Sequence, residues 1–422
     1  MTAICTQLSR LERTLDEGRQ LLGSAFADEA WWDRPESIVQ MSVPWIDRAL
    51  DDARSRLFVA AMRVHQSFIE QAANKFCRNI GLWVQLLEEG LPTSRNAKHA
   101  ATLWQSAFLV IPVVSTTFSS VQSMFKHLDQ ESLGWLLIDE AGQAVPQSAI
   151  GAMWRAKRVI AVGDPLQLEP VFTLQSAVVK GLRQHFQLKD CWNPHSYSVQ
   201  GLADRVNAYG AEIVQQGDPL WVGCPLRVHR RCVDPMFSIS NQIAYAGRMI
   251  LASKVDRLSD MPIGDSRWIQ VTGQCKGKHW VVEQGEAVVD LLSEIFAHAS
   301  ELPDIYVITP FRQISTNLKR MLRQTSAFQT SQIDRTEIQS WLNRSIGTVH
   351  TFQGKEADIV IFVLGLDLSK RGAAHWVSQT PNLLNVATTR ARYRLYIVGD
   401  KRLWRQYSYF RMAMDILDSG LR

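Results

Sequence analysis

Two adjacent acids, Asp139 and Glu140, follow the apolar run 135–138 in the segment GWLLIDEAGQA. Such a run reads as a strand, which puts both carboxylates at its carboxyl end. A carboxylate there can hold Mg²⁺ directly or through water, while its neighbour positions or deprotonates an attacking water; phosphoryl transfer requires that division of labour. A solvated turn or helix cap is the plain alternative for the pair. The next strand, 158–162, runs into VGDPLQLEPV, where Gly163 permits a tight turn, Pro165 fixes the backbone and the Gln167 amide can both donate and accept. An amide suits the sensing of a terminal phosphate; in the plain alternative Asp164 merely caps the turn. Further along, LRVHRR at 226–231 offers Arg227 as a bidentate phosphate donor. IGTVHTFQGKEADIVIF joins two strands through a polar turn around Gln353 and Gly354, and NVATTRARYRLYIVGD places Arg390 and Arg392 in a helical stretch leading into the strand 395–398.

The elements that must position these residues show in the periodicity. Apolar runs at 109–114, 135–138, 158–162, 305–308, 359–364 and 395–398 alternate with polar turns and helical stretches, which predicts α/β architecture with parallel sheets. The runs form two clusters, and in such folds ligands sit at the carboxyl ends of the strands. Residues 1–96 read as helical. From Ile46 the apolar positions Leu50, Ala53, Leu57, Ala61, Val64, Phe68, Ala72, Phe76 and Ile80 predict one sustained helix, either a projecting stalk or a core helix of a bundle. The turn residues LPTSRN at 91–96 mark a boundary.

With 422 residues, 46% hydrophobic and 21% charged, the chain is too long and apolar for a disordered tail and suffices for two or three domains. A net charge of +5 excludes binding of nucleic acid by bulk charge. The stretch 369–411 nonetheless holds nine basic residues and one acid, a net of 9 − 1 = +8. Trp376, Tyr393, Tyr396, Trp404, Tyr407 and Tyr409 are interleaved there, either as base-stacking platforms or as core packing. Six cysteines without a C-x-x-C pair indicate neither a zinc site nor a disulfide framework. Charges run through the N-terminal segment and no apolar stretch is of membrane-spanning length, so the expectation is a cytoplasmic protein with no membrane partner.

Taken in order, DEAGQ, GDPLQL, LRVHRR, ITPFRQ, HTFQGKEAD and NVATTRARYRLYIVGD resemble the motifs of the superfamily 1 helicases, on the branch of the nonsense-mediated-decay helicase and its bacterial DNA-helicase relatives, over 112–400. The resemblance implies two RecA-like P-loop NTPase domains that clamp ATP and Mg²⁺ between them and carry single-stranded nucleic acid, DNA favoured, across their top. It implies Asp139 as the Mg²⁺ ligand, Glu140 as the water-activating base, Gln167 as the γ-phosphate sensor, and Arg227 and Arg390 as arginine fingers. Gly163, Asp164, Gln353, Gly354 and Glu356 would border the nucleotide. Ser115, Thr116, Thr117, Thr309, Thr351 and Arg392 would border the nucleic-acid backbone, although for the hydroxyls ordinary caps and turns stay open. Relatives carry an aromatic residue just before the motif arginine, where Leu226 stands here.

One part of the family pattern is missing. An ATPase of this kind needs a glycine-rich loop ending in Gly-Lys-Ser/Thr. The Gly-Lys pairs here are Gly277-Lys278, with Gly273 one residue too near and His279 following, and Gly354-Lys355 inside HTFQGKEAD. The expected layout is therefore a helical segment at 1–96 (an insertion or stalk), the second part of a first RecA-like domain at 97–200, and a second RecA-like domain at 201–422. An upstream polypeptide would carry the Walker A motif, and without it the strand 158–162 should present an unpaired edge. The alternative is a degenerate module that binds nucleic acid or protein without hydrolysing ATP.

Overall fold

The structure is a computed structural model that describes residues 2–88, 99–189, 192–214, 219–253, 264–325, 328, 331 and 333–420. The boundary expected at 91–96 lies outside the described residues. Chain contacts divide the protein into two compact units, Met1–Ile138 with Pro146–Ala161, and Asp139–Val145 with Val162–Arg422. The turns that follow the first two strands, and everything after 162, thus belong to the second unit.

In the first unit the expected single long helix is two, Arg48–Gln71 and Ala73–Glu88, interrupted at Ala72, whose φ and ψ of −104° and 16° leave the helical region. Asp47 caps the former by accepting the Leu50 amide at 2.6 Å. The helix Arg48–Gln71 buries none of its residues, and Leu57, Phe58, Val64 and Phe68 along it are exposed, which excludes a core position for it. Ala73–Glu88 instead buries Phe76 and Leu86. It meets the helix Ala100–Phe108 through an edge-on Trp83–Trp104 pair at 5.4 Å and an Asn79–Ser106 hydrogen bond of 3.0 Å.

Two strands, β1 (Leu136–Ile138) and β2 (Val159–Ala161), pair in parallel around the helix Pro146–Arg155. The strand expected at 109–114 does not form. Leu109 and Val110 make a turn after the preceding helix, and 111–117 has no regular structure, with Val113 78% exposed. Strand geometry holds only where a neighbour accepts its hydrogen bonds. Among the described residues β1 and β2 pair only with each other, with a single bridge, Leu133 to Ala156, extending the ladder. Leu137, Val159 and Ile160 are exposed, as an open edge requires.

The second unit opens with two small pairs, antiparallel β3 (Gly210–Ile213) with β4 (Leu220–Gly223) and parallel β5 (Val228–His229) with β6 (Ile250–Leu251). After β7 (Arg267–Gln270) comes a hairpin of β8 (Cys275–Lys276) and β9 (Trp280–Val281). The remaining strands are β10 (Ile305–Thr309), β11 (Ile346–Thr348), β12 (Ala357–Val363) and β13 (Ala391–Gly399). Together with β7 they form one five-stranded sheet in the order β11-β10-β12-β13-β7, parallel throughout.

Alternation along the strands builds two cores. Ile308, Val360, Phe362, Leu395 and Ile397 face one side, against the helices Met236–Ala244, Asn382–Thr389 and Ser408–Asp418. Val307, Ile359, Ile361, Val363 and Val398 face the other, against Val282–His298, Arg312–Gln324 and Arg335–Ser345. A sheet covered by helices on both faces matches the α/β, RecA-like expectation, with a helical N-terminal region ahead of it. No helix among the described residues is long and apolar enough to cross a membrane.

Burial on both faces should make the large sheet the slowest-opening part of the protein. In hydrogen exchange the amides of Val360 and Phe362 are expected to exchange about a thousandfold or more slowly than those of Leu137 and Ile160. Equal protection of the two sheets would contradict this picture.

Candidate active site

The site grows from the turns that follow β1 and β2. Glu140 has φ 52° and ψ 40°, a left-handed conformation in a residue with a side chain. Such a conformation costs about 1–2 kcal/mol and persists where its surroundings over-determine it. Here the Asp139 carboxylate accepts the Glu140 amide at 2.9 Å, the Ala141 amide donates to the Val162 carbonyl at 2.9 Å, and Gln143 donates to the Glu140 carboxylate at 2.7 Å.

The GDPLQL turn lies directly against this segment. A Cβ on Gly163 would stand 2.7 Å from the Gly142 nitrogen, and one on Gly142 would stand 2.8 Å from the Asp164 carbonyl oxygen. Gly163 is required by this close approach of two backbones, a reason different from the tight turn the sequence suggested. Asp164 caps its own turn, accepting the Leu166 amide at 2.9 Å, and also accepts the Gln167 side-chain amide at 3.1 Å.

Arg390 connects these turns to the remaining motifs. It is 1% exposed and ends the helix Asn382–Thr389. Its guanidinium donates to the Val386 carbonyl at 3.3 Å, the Lys355 carbonyl at 3.1 Å and the Gln167 side-chain oxygen at 3.4 Å. Burial lowers its pKa to about 10, the like charge of Arg231 acts in the same direction, and Glu140 and Glu356 oppose them. At neutral pH it remains a buried cation within the fields of both carboxylates. Arg390, Glu356 and the 355 carbonyl all precede their strands, β13 and β12, so this half of the site sits at the amino ends of the large sheet. The carboxyl-end expectation holds for the turns after β1 and β2.

A polar cavity of about 690 Å³ opens beside this cluster, lined by Asp164, Gln167, His229, Arg231, Tyr245 and Glu356 among others. Arg231 pairs with Glu356 at 2.9 Å. Arg227, the LRVHRR arginine expected to face phosphate, donates its Nε to the Arg248 carbonyl at 2.7 Å, and the members of that motif that line the cavity are Val228, His229, Arg230 and Arg231. Leu226 beside it is 87% exposed.

Among the other expected site residues, Arg392 also lines the cavity. Arg392 lies in β13 and not in a helix, and its guanidinium is held by Asp304 at 2.7 Å and Asp358 at 2.8 Å. Burial disfavours its charge, but Asp358, Asp304 and Glu356 outweigh this and raise its pKa. Three carboxylates therefore take the charge that was expected to meet phosphate. Thr309 is fully buried and its hydroxyl donates to the Phe311 carbonyl at 2.8 Å, so it presents nothing to a ligand. Ser115, Thr116 and Thr117 belong to the first unit, where the Thr117 hydroxyl meets Ser119 at 2.8 Å. Thr351 is exposed and its hydroxyl is 3.2 Å from that of Thr348. Gly354, with φ 71°, occupies the left-handed position that glycine favours, next to Gln353 at the end of the turn Val349–Phe352.

Five of the nine basic residues of the +8 stretch are engaged within the fold. Arg390 and Arg392 are engaged as described, and Arg394 donates to the Gly264 carbonyl at 3.0 Å. Lys401 pairs with Asp418 at 2.8 Å and Arg402 with Asp400 at 2.7 Å. Tyr396, Trp404 and Tyr409 are buried, and Trp376, 51% exposed, is the open ring of the six. Sequence reading missed Arg231, Tyr245, Asn382 and Asn385. The charge of LRVHRR was a signal for the first; no local pattern marks the others, which act across 81 residues or more.

His229 in the cavity wall accepts the Cys232 amide at its Nε2, 3.0 Å away. Burial lowers its pKa to about 4, aided by Arg231. A depressed imidazole stabilises the fold fully above its ordinary value of about 6.5 and loses that contribution as pH falls towards about 4. Urea midpoints are expected to drop across this window in the wild type and to drop less in His229→Gln; identical acid profiles would exclude a neutral buried imidazole.

Two AAA-domain families match the chain, one at 87–175 and the other at 224–402. The DNA replication ATP-dependent helicase/nuclease DNA2 of Gallus gallus is 24% identical over 328 residues, covering 76% of this chain and 28% of that protein. The Regulator of nonsense transcripts 1 homolog of Neurospora crassa is 27% identical over 281 residues, 64% of this chain and 22% of that protein. The chain thus spans under a third of the length of these curated relatives. An Arterivirus nonstructural protein 10 helicase structure with DNA superposes on 68% of this chain and 42% of its own, at 16% identity and a TM-score of 0.29, too low to bear on the fold. In its ordered motifs and these family matches, the chain is similar to the superfamily 1 helicases.

Proposed function

We propose that this chain is the motor part of an ATP-dependent helicase, coupling ATP hydrolysis to movement along single-stranded nucleic acid, with DNA the favoured strand. The observation that carries this reading is the convergence on Arg390. A buried, charged guanidinium touches the Gln167 amide, the loop that follows Gly354 and, through its field, Glu140. Glu140 would take the proton of the attacking water, and Arg390 would meet charge developing on the transferred phosphoryl group, a role worth roughly 10³–10⁵ in related systems. Asp139 is the candidate Mg²⁺ ligand. Mg²⁺ is commonly held by one or two carboxylates plus substrate phosphates, so a lone exposed strand-end acid suits it. Among the described residues no cluster of three metal-ligating side chains offers a dedicated cage. When bound, the ion would neutralise phosphate charge.

In this reading 97–200 is the second part of a first RecA-like domain and 201–422 the second domain, and an upstream polypeptide supplies the Walker A loop. The open edge of the β1–β2 pair and the unpaired 109–114 segment support such a partner. The site of action would be the cytoplasm, where the free thiols Cys5, Cys77, Cys224, Cys232 and Cys275 stay reduced. A second reading, a binding module without turnover, is favoured by the lack of any Gly-Lys-Ser/Thr sequence.

Hydrolysis of ATP, stimulated by an oligothymidylate, separates the two when measured on the chain joined to its upstream polypeptide. The motor reading expects Glu140→Gln to lose about a hundredfold or more of that rate, the usual worth of a general base. Strand binding without stimulated hydrolysis would favour the module, and undiminished hydrolysis in Glu140→Gln would remove the role given to Glu140. Binding should also depend on salt, but only through the cations that the fold leaves available. Lys370, Arg371, Arg405 and Arg411 together give a log–log slope of about −3, where all nine basic residues of 369–411 would give about −6. A measured slope near the larger value would mean that the paired arginines open on binding.

A further inference from the structure

We infer that Tyr245, acting with Asn385, is a positioning residue that fixes the orientation of the Gln167 amide and ties its turn to the helix ending in Arg390. The inference rests on the motor reading for its consequence and on geometry for its existence. Gln167 can sense a phosphate only if its amide faces one way, and Asp164 decides which way. A carboxylate only accepts, so the NH₂ group of Gln167, 3.1 Å from Asp164, must be the end that faces it. The side-chain oxygen is then left towards Arg390.

Asp164 is in turn held by Tyr245, whose phenol donates to Oδ2, the same carboxylate oxygen that accepts from Gln167. That bond uses the only phenolic proton, and the oxygen can then accept. It does so from Asn385, whose Nδ2 lies 3.0 Å away. The other hydrogen of the same Nδ2 goes to the Leu166 carbonyl at 2.9 Å, and Asn385 Oδ1 accepts the Ser240 hydroxyl at 2.7 Å. Both side-chain N–H donors of Asn385 and its oxygen are thereby engaged, and the residue is fully buried. One turn earlier, Asn382 donates to the Gln167 carbonyl at 2.6 Å. The turn is therefore gripped at two successive carbonyls and at its carboxylate. Asn382 and Asn385 lie on the same helix, Asn382–Thr389, that Arg390 terminates. Sensor and guanidinium are thus joined as one body, with the phenol closing the ring of hydrogen bonds.

The first test needs no catalysis and uses the chain as it stands. In a double-mutant cycle, Tyr245→Phe and Asn385→Ala should lower the urea midpoint together by clearly less than the sum of their separate effects, because each breaks the same network. Ser240→Ala replaces Asn385→Ala if the latter does not fold. Strict additivity would overturn the network. The second test uses the chain joined to its upstream polypeptide, with MgATP and oligothymidylate. Tyr245→Phe is expected to lower kcat about tenfold or more while the KM for ATP stays within about twofold, since misplacing a sensing group by a fraction of an ångström acts on the transition state. A lower unfolding midpoint with unchanged kcat in the folded fraction would reduce Tyr245 to a packing residue and overturn the inference alone. A wild type that hydrolyses no ATP would overturn the motor reading and, with it, the catalytic half of this inference.

Discussion

A charged guanidinium in the interior is tolerated only when enough oxygen surrounds it, and Arg390 organises its half of the protein by that requirement. The Val386 and Lys355 carbonyls and the Gln167 amide each supply one acceptor, so three segments far apart in sequence must arrive together for the cation to be stable. Burial and Arg231 weaken its hold on the proton, Glu140 and Glu356 offset part of this, and at neutral pH it remains a cation. Substitution by a neutral residue would leave acceptors unpaired in three segments, and a lysine could not reproduce the forked geometry.

The surrounding charges fall into two sets. Arg392, Asp304, Asp358 and Glu356 form a pinned network at the amino ends of β10, β12 and β13 that fixes where these strands begin. Arg231 and Asp164 line open volume, and Glu356 and Arg392 belong to both sets, pinned in the network and facing the same cavity. The distinction matters because composition cannot make it: both sets contribute arginines to short basic motifs, and only the neighbours decide which arginine is structural.

This explains what was legible in the sequence. The strands at 135–138, 158–162, 305–308, 359–364 and 395–398 could be read because alternation and apolar runs are local properties. That Asp139 and Glu140 follow a strand and Gln167 lies in the turn after the next could be read because strand ends and turn residues fix where a side chain begins. The segment 109–114 has the same local character yet forms no strand, since a strand also needs a partner, which no local pattern supplies. Arg392 and Thr309 misled for a related reason: their types suit a phosphate, while carboxylates and a carbonyl brought in by tertiary structure had already claimed them. Tyr245 and Asn385 carry no signature at all, because a buried tyrosine and asparagine look like ordinary core until their partners across the fold are known.

The contact between Gly142 and Gly163 has an evolutionary consequence. The two main chains approach so closely that a methyl group on either would push apart the segment bearing Glu140 and the one bearing Gln167. A change at one glycine therefore damages two motifs at once, and no enlargement elsewhere can refill a gap that was never there. Repair by a second substitution, the usual escape from a harmful mutation, is closed at this point, so lineages that keep both motifs should be unable to drift at either glycine.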